Sequence, residues 1–452
     1  MLSWVASVQF VYWYPMMPIE ELYEIYLKHP VICTDTRKIT PGCLFFALKG
    51  EHFDGNTFAE KAVELGAAYA IVDTKTNGNE RLVLTDNVLA TLQQLATHHR
   101  KHIHIPVIGI TGSNGKTTTK ELFYAVLSQH YCTFATHGNL NNHIGVPLSI
   151  LSIGPEVKIA IIEMGANHQQ EISQLCRIAQ PTHGLITNIG KAHLEGFGGL
   201  EGVRKGKGEL YAYLAETDGI VFVSHTNFEL NALCRKYPLT KLVFYGAGMD
   251  NFISGNSTTE VPFLSVAWKR ERVEFDDLKH EVNTHLTGGY NVENVLAAIC
   301  VGAFFDLRTE EINAGISGYI PTNNRSQLTK TEKNTLICDY YNANPSSMLG
   351  ALENLEKLPG ANKALILGDM FELGTESPAE HTAIIEKALA IRATRYIFIG
   401  VDFFDQQKTG KAEFYKTVAE AEEALRKLPI ENTTVLIKGS RGMELEKLVG
   451  LL

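Results

Sequence analysis

The chain carries 41 Lys and Arg against 50 Asp and Glu over 452 residues, a net charge of −9 with a pI near 6.0. Hydrophobic residues at 45% and charged residues at 20% are ordinary globular usage, which excludes a disordered or fibrous chain and, at this length, gives about two to four domains. The acidic balance excludes a general nucleic-acid-coating protein but leaves room for a local basic pocket that binds phosphate.

The first 17 residues, MLSWVASVQFVYWYPMM, are aromatic and apolar, and the first basic residue is Lys28. Without the basic start of a signal peptide this stretch is read as an extension outside the fold. No apolar run approaches the ~20 residues that span a membrane, so a cytoplasmic location is expected. Residues 18–102 form a first block: a short helix at 18–28, a turn-rich stretch at 34–58, the helix-like AEKAVELGA and a strand at 68–73. The block closes on THHRKHIH, read as a linker or domain edge.

Residues 103–320 form a second block. Strand-length apolar runs at 105–111, 157–163, 184–189, 219–224 and 242–245 alternate with helical patterns. That alternation predicts βαβ units around a mostly parallel sheet. Residues 262–276, PFLSVAWKRERVEFD, predict a strand pair with a charged turn, and 289–305 a helix with an Ala-rich face. Residues 321–452 form a third block, a separate α/β domain. It has strands at 335–340, 363–368, 396–400 and 433–439, each followed by a helix (345–357, 378–390, 418–428 and 443–451). Seven cysteines (Cys33, Cys43, Cys132, Cys176, Cys234, Cys300 and Cys338) are odd in number, scattered and without C-x-x-C. They read as buried thiols, not as a disulfide framework or a zinc site.

The strongest local signal is VIGITGSNGKTTTK at 107–120, an apolar strand running through Thr111, Gly112, Ser113, Asn114, Gly115, Lys116, Thr117 and Thr118 into a helix expected at 121–129. Glycines let backbone N–H groups close on phosphates, and the helix N-terminus adds positive potential. Lys116 reaches the outer phosphates, and the Thr117 hydroxyl can ligate Mg²⁺. Ile110 replaces the first Gly of the generic Walker pattern, leaving the shorter T-G-x-x-G-K-T form. Glu163 and Asp339 each end a strand, where an acid is either a cap or a metal ligand; the upstream P-loop favours the ligand role for Glu163. His193, in TNIGKAHLEGFGG, is either a satisfied loop histidine or a ligand. Among Arg204, Lys205 and Lys207 on the next helix, spacing alone makes no choice.

The stretches at 109–120, EMGAN at 163–167 and 188–199 together resemble the Mur ligases of peptidoglycan assembly. The resemblance covers nearly all of 18–452 and extends to THGNLNNHIGVP, DYYNANPSS, LILGDMFELG and IKGSRG. The E-x-G-A-N and D-x-Y-N-A-N-P forms point to the branch that joins D-alanyl-D-alanine to the terminal carboxylate of UDP-N-acetylmuramoyl-tripeptide. It implies an α/β enzyme of three domains: a UDP-sugar-binding domain at 18–102, a P-loop ATPase-like domain at 103–320 and a Rossmann-like ligase domain at 321–452. Its cofactors would be ATP and Mg²⁺, its partners the two small-molecule substrates, with no nucleic acid and no membrane insertion, and it would act as a monomer.

Residue by residue, the resemblance places the sugar nucleotide at Thr36 and Arg37, with Thr36 where Ser is commoner and Asn56 nearby where the family often has His. It places ATP at 111–118, Asn291, Asn294, Arg325 and Asp339; Asn324 precedes Arg325 where the family has Gly. Metal falls to Thr117, Glu163 and His193, and Lys207 becomes the lysine that is commonly carbamylated. Substrate contacts fall to Asn141, Asn142, Asn342, Asn344, Lys438, Ser440 and Arg441. Lys116, Glu163, His193 and Lys207 would be the catalytic set. Two other readings stand beside it, a sibling amino-acid or folylpolyglutamate-type ligase and a non-catalytic nucleotide-binding protein. The EMGAN and NANP stretches speak against the first, and joint retention of Lys116, Thr117, Glu163, His193 and Lys207 against the second.

Overall fold

The computed structural model describes residues 17–74, 79–248, 250–270, 280–407 and 410–452. Apart from Met17, the expected extension lies outside the described residues. The chain forms two compact units: one takes the residues up to His104 with Pro147–Ser152, the other Ile105–Val146 with Ile153–Leu452. Among the described residues no helix is long and apolar enough to cross a membrane.

In the first unit, α1 (Ile19–Lys28) buries Leu22, Tyr23 and Tyr26 from one face. Strands β1 (Ile32–Cys33), β2 (Leu44–Phe46), β3 (Tyr69–Val72) and β4 (Leu82–Leu84) lie in chain order, all parallel. Helix α2 (Ala59–Glu64) precedes β3, and α3 (Val88–His102) closes the unit. THHRKHIH is therefore the edge of this unit, which ends at His104, and not a linker: most of it is the end of α3. The helix is capped by Asn87, whose side chain accepts from the Ala90 N–H at 2.8 Å, and runs on because its final turns pack inward. His99 and Arg100 are buried, and the His99 ring nitrogens meet the Tyr23 and Tyr26 hydroxyls at 3.1 and 3.3 Å.

The second unit holds two sheets. The nine-stranded sheet is built from β5 (Val107–Thr111), β6 (Thr133–Ala135), β7 (Ile159–Glu163), β8 (His183–Ile186), β9 (Ile220–Ser224), β10 (Lys241–Gly246), β11 (Ile253–Thr259), β12 (Ser265–Arg270) and β13 (His280–Asn283). Its spatial order is β13-β12-β11-β10-β9-β8-β5-β7-β6. Pairing is parallel from β6 to β11 and antiparallel across β11–β12–β13. The antiparallel insertion expected near 262–276 is present as β12, although its partners are β11 and β13 and the expected charged turn falls in 271–279, outside the described residues. Strand β5 lies between β7 and β8, so the chain reverses direction of growth there. Such a switch point opens a crevice at the carboxyl ends of the strands.

The six-stranded sheet runs β14 (Gln327–Lys330), β15 (Thr335–Asp339), β19 (Thr434–Lys438), β16 (Lys363–Gly368), β17 (Arg395–Ile399), β18 (Ala412–Tyr415), with only β14 antiparallel. Leu336, Ile366, Ile397, Val435 and Ile437 form its core. The helix expected at 443–451 is instead 3₁₀ over Leu445–Leu451. Leu445 and Leu448 are the buried positions, and a three-residue spacing suits a three-residue turn better than an α-helical one. Six cysteines are buried as expected, but Cys132 is exposed, because it lies in the turn before edge strand β6, outside the sheet's covered faces.

Candidate active site

The crevice follows from β5. Its apolar run VIGIT is fully buried and ends at a turn that only glycines can make. Gly112 (φ +141°) passes so close to Thr187 that a Cβ there would lie 2.0 Å from the Thr187 hydroxyl. Gly115 (φ +79°) caps the next helix, and a Cβ there would lie 2.8 Å from Asn294 Oδ1. Helix α4 (Lys116–Leu127) starts five residues earlier than the sequence suggests, so Lys116 and Thr117 form its first turn. Its N–H groups and dipole face the crevice, as an anion requires.

The loop after β8 clamps this turn. Asn188 accepts from the Asn114 N–H and donates to the Asn114 carbonyl, both at 3.0 Å. Lys116 Nζ folds back onto the Gly112 and Ser113 carbonyls at 2.7 and 3.1 Å. Burial pushes its pKa down to about 8, opposed by Glu163 and assisted by the Arg325 cation. A half-buried ammonium with only carbonyl acceptors favours an arriving anion.

Glu163, at the end of β7, is 1% exposed. Its Oε1 accepts from Thr117 Oγ1 at 3.2 Å and Asn141 Nδ2 at 2.8 Å, while its Oε2 is buried with no partner. A carboxylate oxygen left so is costly unless a cation meets it. Arg325, stacked on the Tyr341 ring at 3.9 Å, likewise has a buried Nε without a partner. Among the described residues no three His, Cys, Asp or Glu side chains form a metal cluster. One carboxylate and one hydroxyl beside a phosphate cradle is the donor set that suits Mg²⁺, which takes its remaining ligands from phosphate and water.

These groups line one cavity of about 800 Å³. Of the residues chosen from sequence, its wall holds 113–118, Asn141, Asn142, Glu163, His193, Asn291, Asn294, Arg325, Asp339, Asn342, Asn344, Lys438 and Arg441. Thr111 and Gly112 lie beneath the turn. Ser440 lines a smaller cavity of about 190 Å³ that shares His193, Asn342, Asn344 and Arg441 with the first. Thr36 and Arg37 belong to the first unit, where Arg37 turns back on Asp35 at 2.8 Å. Lys207, on α5 (Leu200–Glu216), is 1% exposed and donates to the Ala166 carbonyl at 3.2 Å, directly behind the wall. Burial, and then the Lys116 cation, hold its pKa well below the usual lysine range.

Two of the wall residues also make local contacts. Asp339 is a wall residue but not an open ligand: its Oδ2 pairs with Lys438 Nζ at 2.7 Å and its Oδ1 accepts from the Ser326 N–H at 3.2 Å. Asn142 uses its Oδ1 to hold the Ile144 and Gly145 N–H groups, a local capping role. Asn188, Tyr341 and Glu372 were not singled out from sequence, although all three lie inside stretches that carried the resemblance.

Family models match most of the chain: "Mur ligase family, catalytic domain" over 30–110, "Mur ligase middle domain" over 110–302 and "Mur ligase, glutamate ligase domain" over 324–441. A Bacillus subtilis protein named UDP-N-acetylmuramoyl-tripeptide--D-alanyl-D-alanine ligase is 36% identical, covering 94% of this chain and 93% of its own length. The chain belongs to the Mur ligase family. Solved Mur ligases share the fold throughout. MurF from Acinetobacter baumannii superposes with a TM-score of 0.84 at 28% identity, covering 96% of this chain and 99% of that one. MurF ligase from Thermotoga maritima in complex with ADP gives 0.82 at 25% identity, covering 94% and 97%. This Mur ligase thus carries the glycine turn and Lys116 in its middle domain, with the third domain contributing to the same cavity wall.

Proposed function

We infer that this Mur ligase joins D-alanyl-D-alanine to the terminal carboxylate of UDP-N-acetylmuramoyl-tripeptide, using ATP, in the cytoplasmic stage of peptidoglycan synthesis, and acts as a monomer. The observation that carries the chemistry is the buried, unpartnered Glu163 oxygen beside Thr117 and a phosphate cradle. The relatives' shared name carries the substrates.

A carboxylate resists direct attack by an amine, because its leaving group would be oxide. Transfer of the ATP γ-phosphoryl to that carboxylate releases ADP and gives an acyl phosphate; the neutral dipeptide amine attacks the carbonyl, the C–N bond forms, the C–O bond to phosphate breaks, and the amine proton passes to the departing phosphate. Two anions must first approach. Lys116 would offset that repulsion at the γ-phosphate, with Arg325 supplying further positive charge from the third domain. Asn291 and Asn294, at the start of α6 (Val292–Phe304), would border the nucleotide. Asn294 is braced by the Thr119 hydroxyl at 3.1 Å. Mg²⁺ held by Glu163 and Thr117, with His193 as a third donor, would neutralise phosphate charge. Asn342, Asn344, Ser440, Lys438 and Arg441 would position the dipeptide, and Thr36 and Arg37 the sugar nucleotide.

Lys207 is proposed to carry a carbamate. Its lowered pKa raises the share of neutral amine, and the lone pair of that form can bond to the carbon of CO₂ while the proton leaves to solvent. Replacing the lysine by Ala should lower turnover about a hundredfold, with partial recovery in short carboxylates; turnover like that of the parent enzyme would remove the assignment.

Phosphate release from ATP, with each substrate omitted in turn, tests the whole reading. Release that requires both substrates, with a product heavier by the dipeptide, is expected. Release with single amino acids in place of the dipeptide would reassign the chain to a sibling specificity, and no release at all would make it a non-catalytic nucleotide binder.

A further inference from the structure

The loop that follows β8 touches the third domain at four points. His193 Nδ1 meets Glu372 Oε2, and the Glu195 N–H donates to the Glu372 carbonyl at 3.3 Å. The Lys191 N–H donates to Ser346 Oγ at 3.1 Å, and its ammonium pairs with Glu380. His193 and Glu372 both sit in the left-handed backbone region, at φ +52° and +62°. Side chains other than Gly rarely adopt that region, and its strain persists only where surrounding contacts hold it. Glu372 comes from the loop after β16, a different domain from the histidine it meets.

A carboxylate on Nδ1 fixes that nitrogen as the protonated one and leaves the lone pair on Nε2. His193 lines both cavities. We propose that Glu372 is a positioning residue for His193: it sets the ring's tautomer and direction so that Nε2 can take a divalent cation, and it does so only when the third domain is seated. Lys191 and its two partners hold the same loop without touching the ring. Cation binding at His193 is thereby made conditional on domain seating, which would keep the metal site incomplete until the dipeptide-binding domain is in place. This rests on the reading of His193 as a metal ligand given above.

The test is Mn²⁺ affinity, followed by electron paramagnetic resonance of free Mn²⁺. The full chain is titrated in the presence of UDP-N-acetylmuramoyl-tripeptide and a non-hydrolysable ATP analogue. Glu372→Ala should weaken binding at least about tenfold, as loss of an outer partner does. Glu372→Gln, whose amide oxygen can still accept from Nδ1–H, should recover most of it, and the His193→Ala/Glu372→Ala double variant should be no weaker than His193→Ala. Turnover should fall with Mn²⁺ occupancy while the KM for the sugar nucleotide stays constant. If His193→Ala weakens Mn²⁺ binding and neither Glu372 variant does, the proposal fails and the ligand role stands. If His193→Ala itself leaves Mn²⁺ affinity unchanged, the ligand role fails and the proposal with it. Lys191→Ala separates tethering from orientation: equal loss in Lys191→Ala and Glu372→Ala, without recovery in Glu372→Gln, would reduce Glu372 to a tether and overturn the proposal.

Discussion

Two strand-end carboxylates, each facing a lysine, have opposite fates in this molecule. Glu163 ends β7 near Lys116, and Asp339 ends β15 beside Lys438. In the first corner the lysine bonds to backbone carbonyls and the carboxylate keeps an oxygen without a partner. In the second, the two charges close on each other at 2.7 Å, with the Lys438 side chain only 2% exposed. Position at the carboxyl end of a parallel strand is common to both and decides nothing alone. What decides is whether a neighbour already neutralises the acid. The glycine turn draws Lys116 toward its own loop, which leaves Glu163 open to a cation that arrives with phosphate. At Asp339 the adjacent strand β19 supplies its own cation.

The largest expected effect breaks the open corner. Lys116→Ala should lower turnover by about 10²–10³-fold, the scale of losing one preorganised charge at a transferring phosphoryl group, while the melting temperature changes little, because the half-buried ammonium makes no direct ion pair. Turnover near that of the parent enzyme would end the phosphate role. Asp339→Asn probes the closed corner. It leaves Lys438 buried without its counterion and should cost about 2 kcal/mol of stability in a denaturant titration, with the Mg²⁺ dependence of turnover unmoved. A shifted Mg²⁺ dependence would mean that Asp339 does reach the metal and that the two corners are alike. Glu163→Gln should show the converse, a Mg²⁺ requirement raised about tenfold with little change in stability. An unchanged Mg²⁺ dependence removes Glu163 from the metal's shell.

The open corner was legible in sequence because its physics is local. A buried strand, a glycine turn and a helix start within fourteen consecutive residues, and the turn's chemistry follows from residue type. The same holds for most interior strands: β7, β9, β15, β16 and β19 fall within two residues of their apolar runs. What escaped was decided by distant neighbours. Strands β6, β14 and β18 are short edges whose sequences lack an apolar run. The interior strand β11, ISGNSTT, is polar because two flanking strands supply its hydrogen bonds whatever its side chains are. His99 and Arg100 turned an apparent linker into helix because tyrosines of α1 receive His99. The Asp339–Lys438 and His193–Glu372 pairs join residues 99 and 179 positions apart, and no local pattern signals either pairing.

The smallest effect concerns the proton on Lys116, and it separates the two corners without a substrate. Its folded pKa, about 8, lies below the ordinary 10.5. Below pH 8 both folded and unfolded chains carry the proton, and the cost of burying the cation is fully present. Between about 8 and 10.5 the unfolded chain still holds a proton that the folded chain has released, so stability should rise with pH. Relative to Lys116→Met, the ligand-free protein should gain at most roughly 1.4 kcal/mol per pH unit across that window. ATP should reverse the sign at Lys116: phosphate beside the amine favours the charged form, so binding at pH 8–9 should take up a fraction of a proton. Calorimetry of ATP binding in two buffers of different ionisation enthalpy reads that uptake directly. Uptake in the parent enzyme and none in Lys116→Met would show that at pH 8–9 part of the Lys116 population is neutral until the phosphate arrives. Equal uptake in both would assign the proton to another group and leave Lys116 charged throughout.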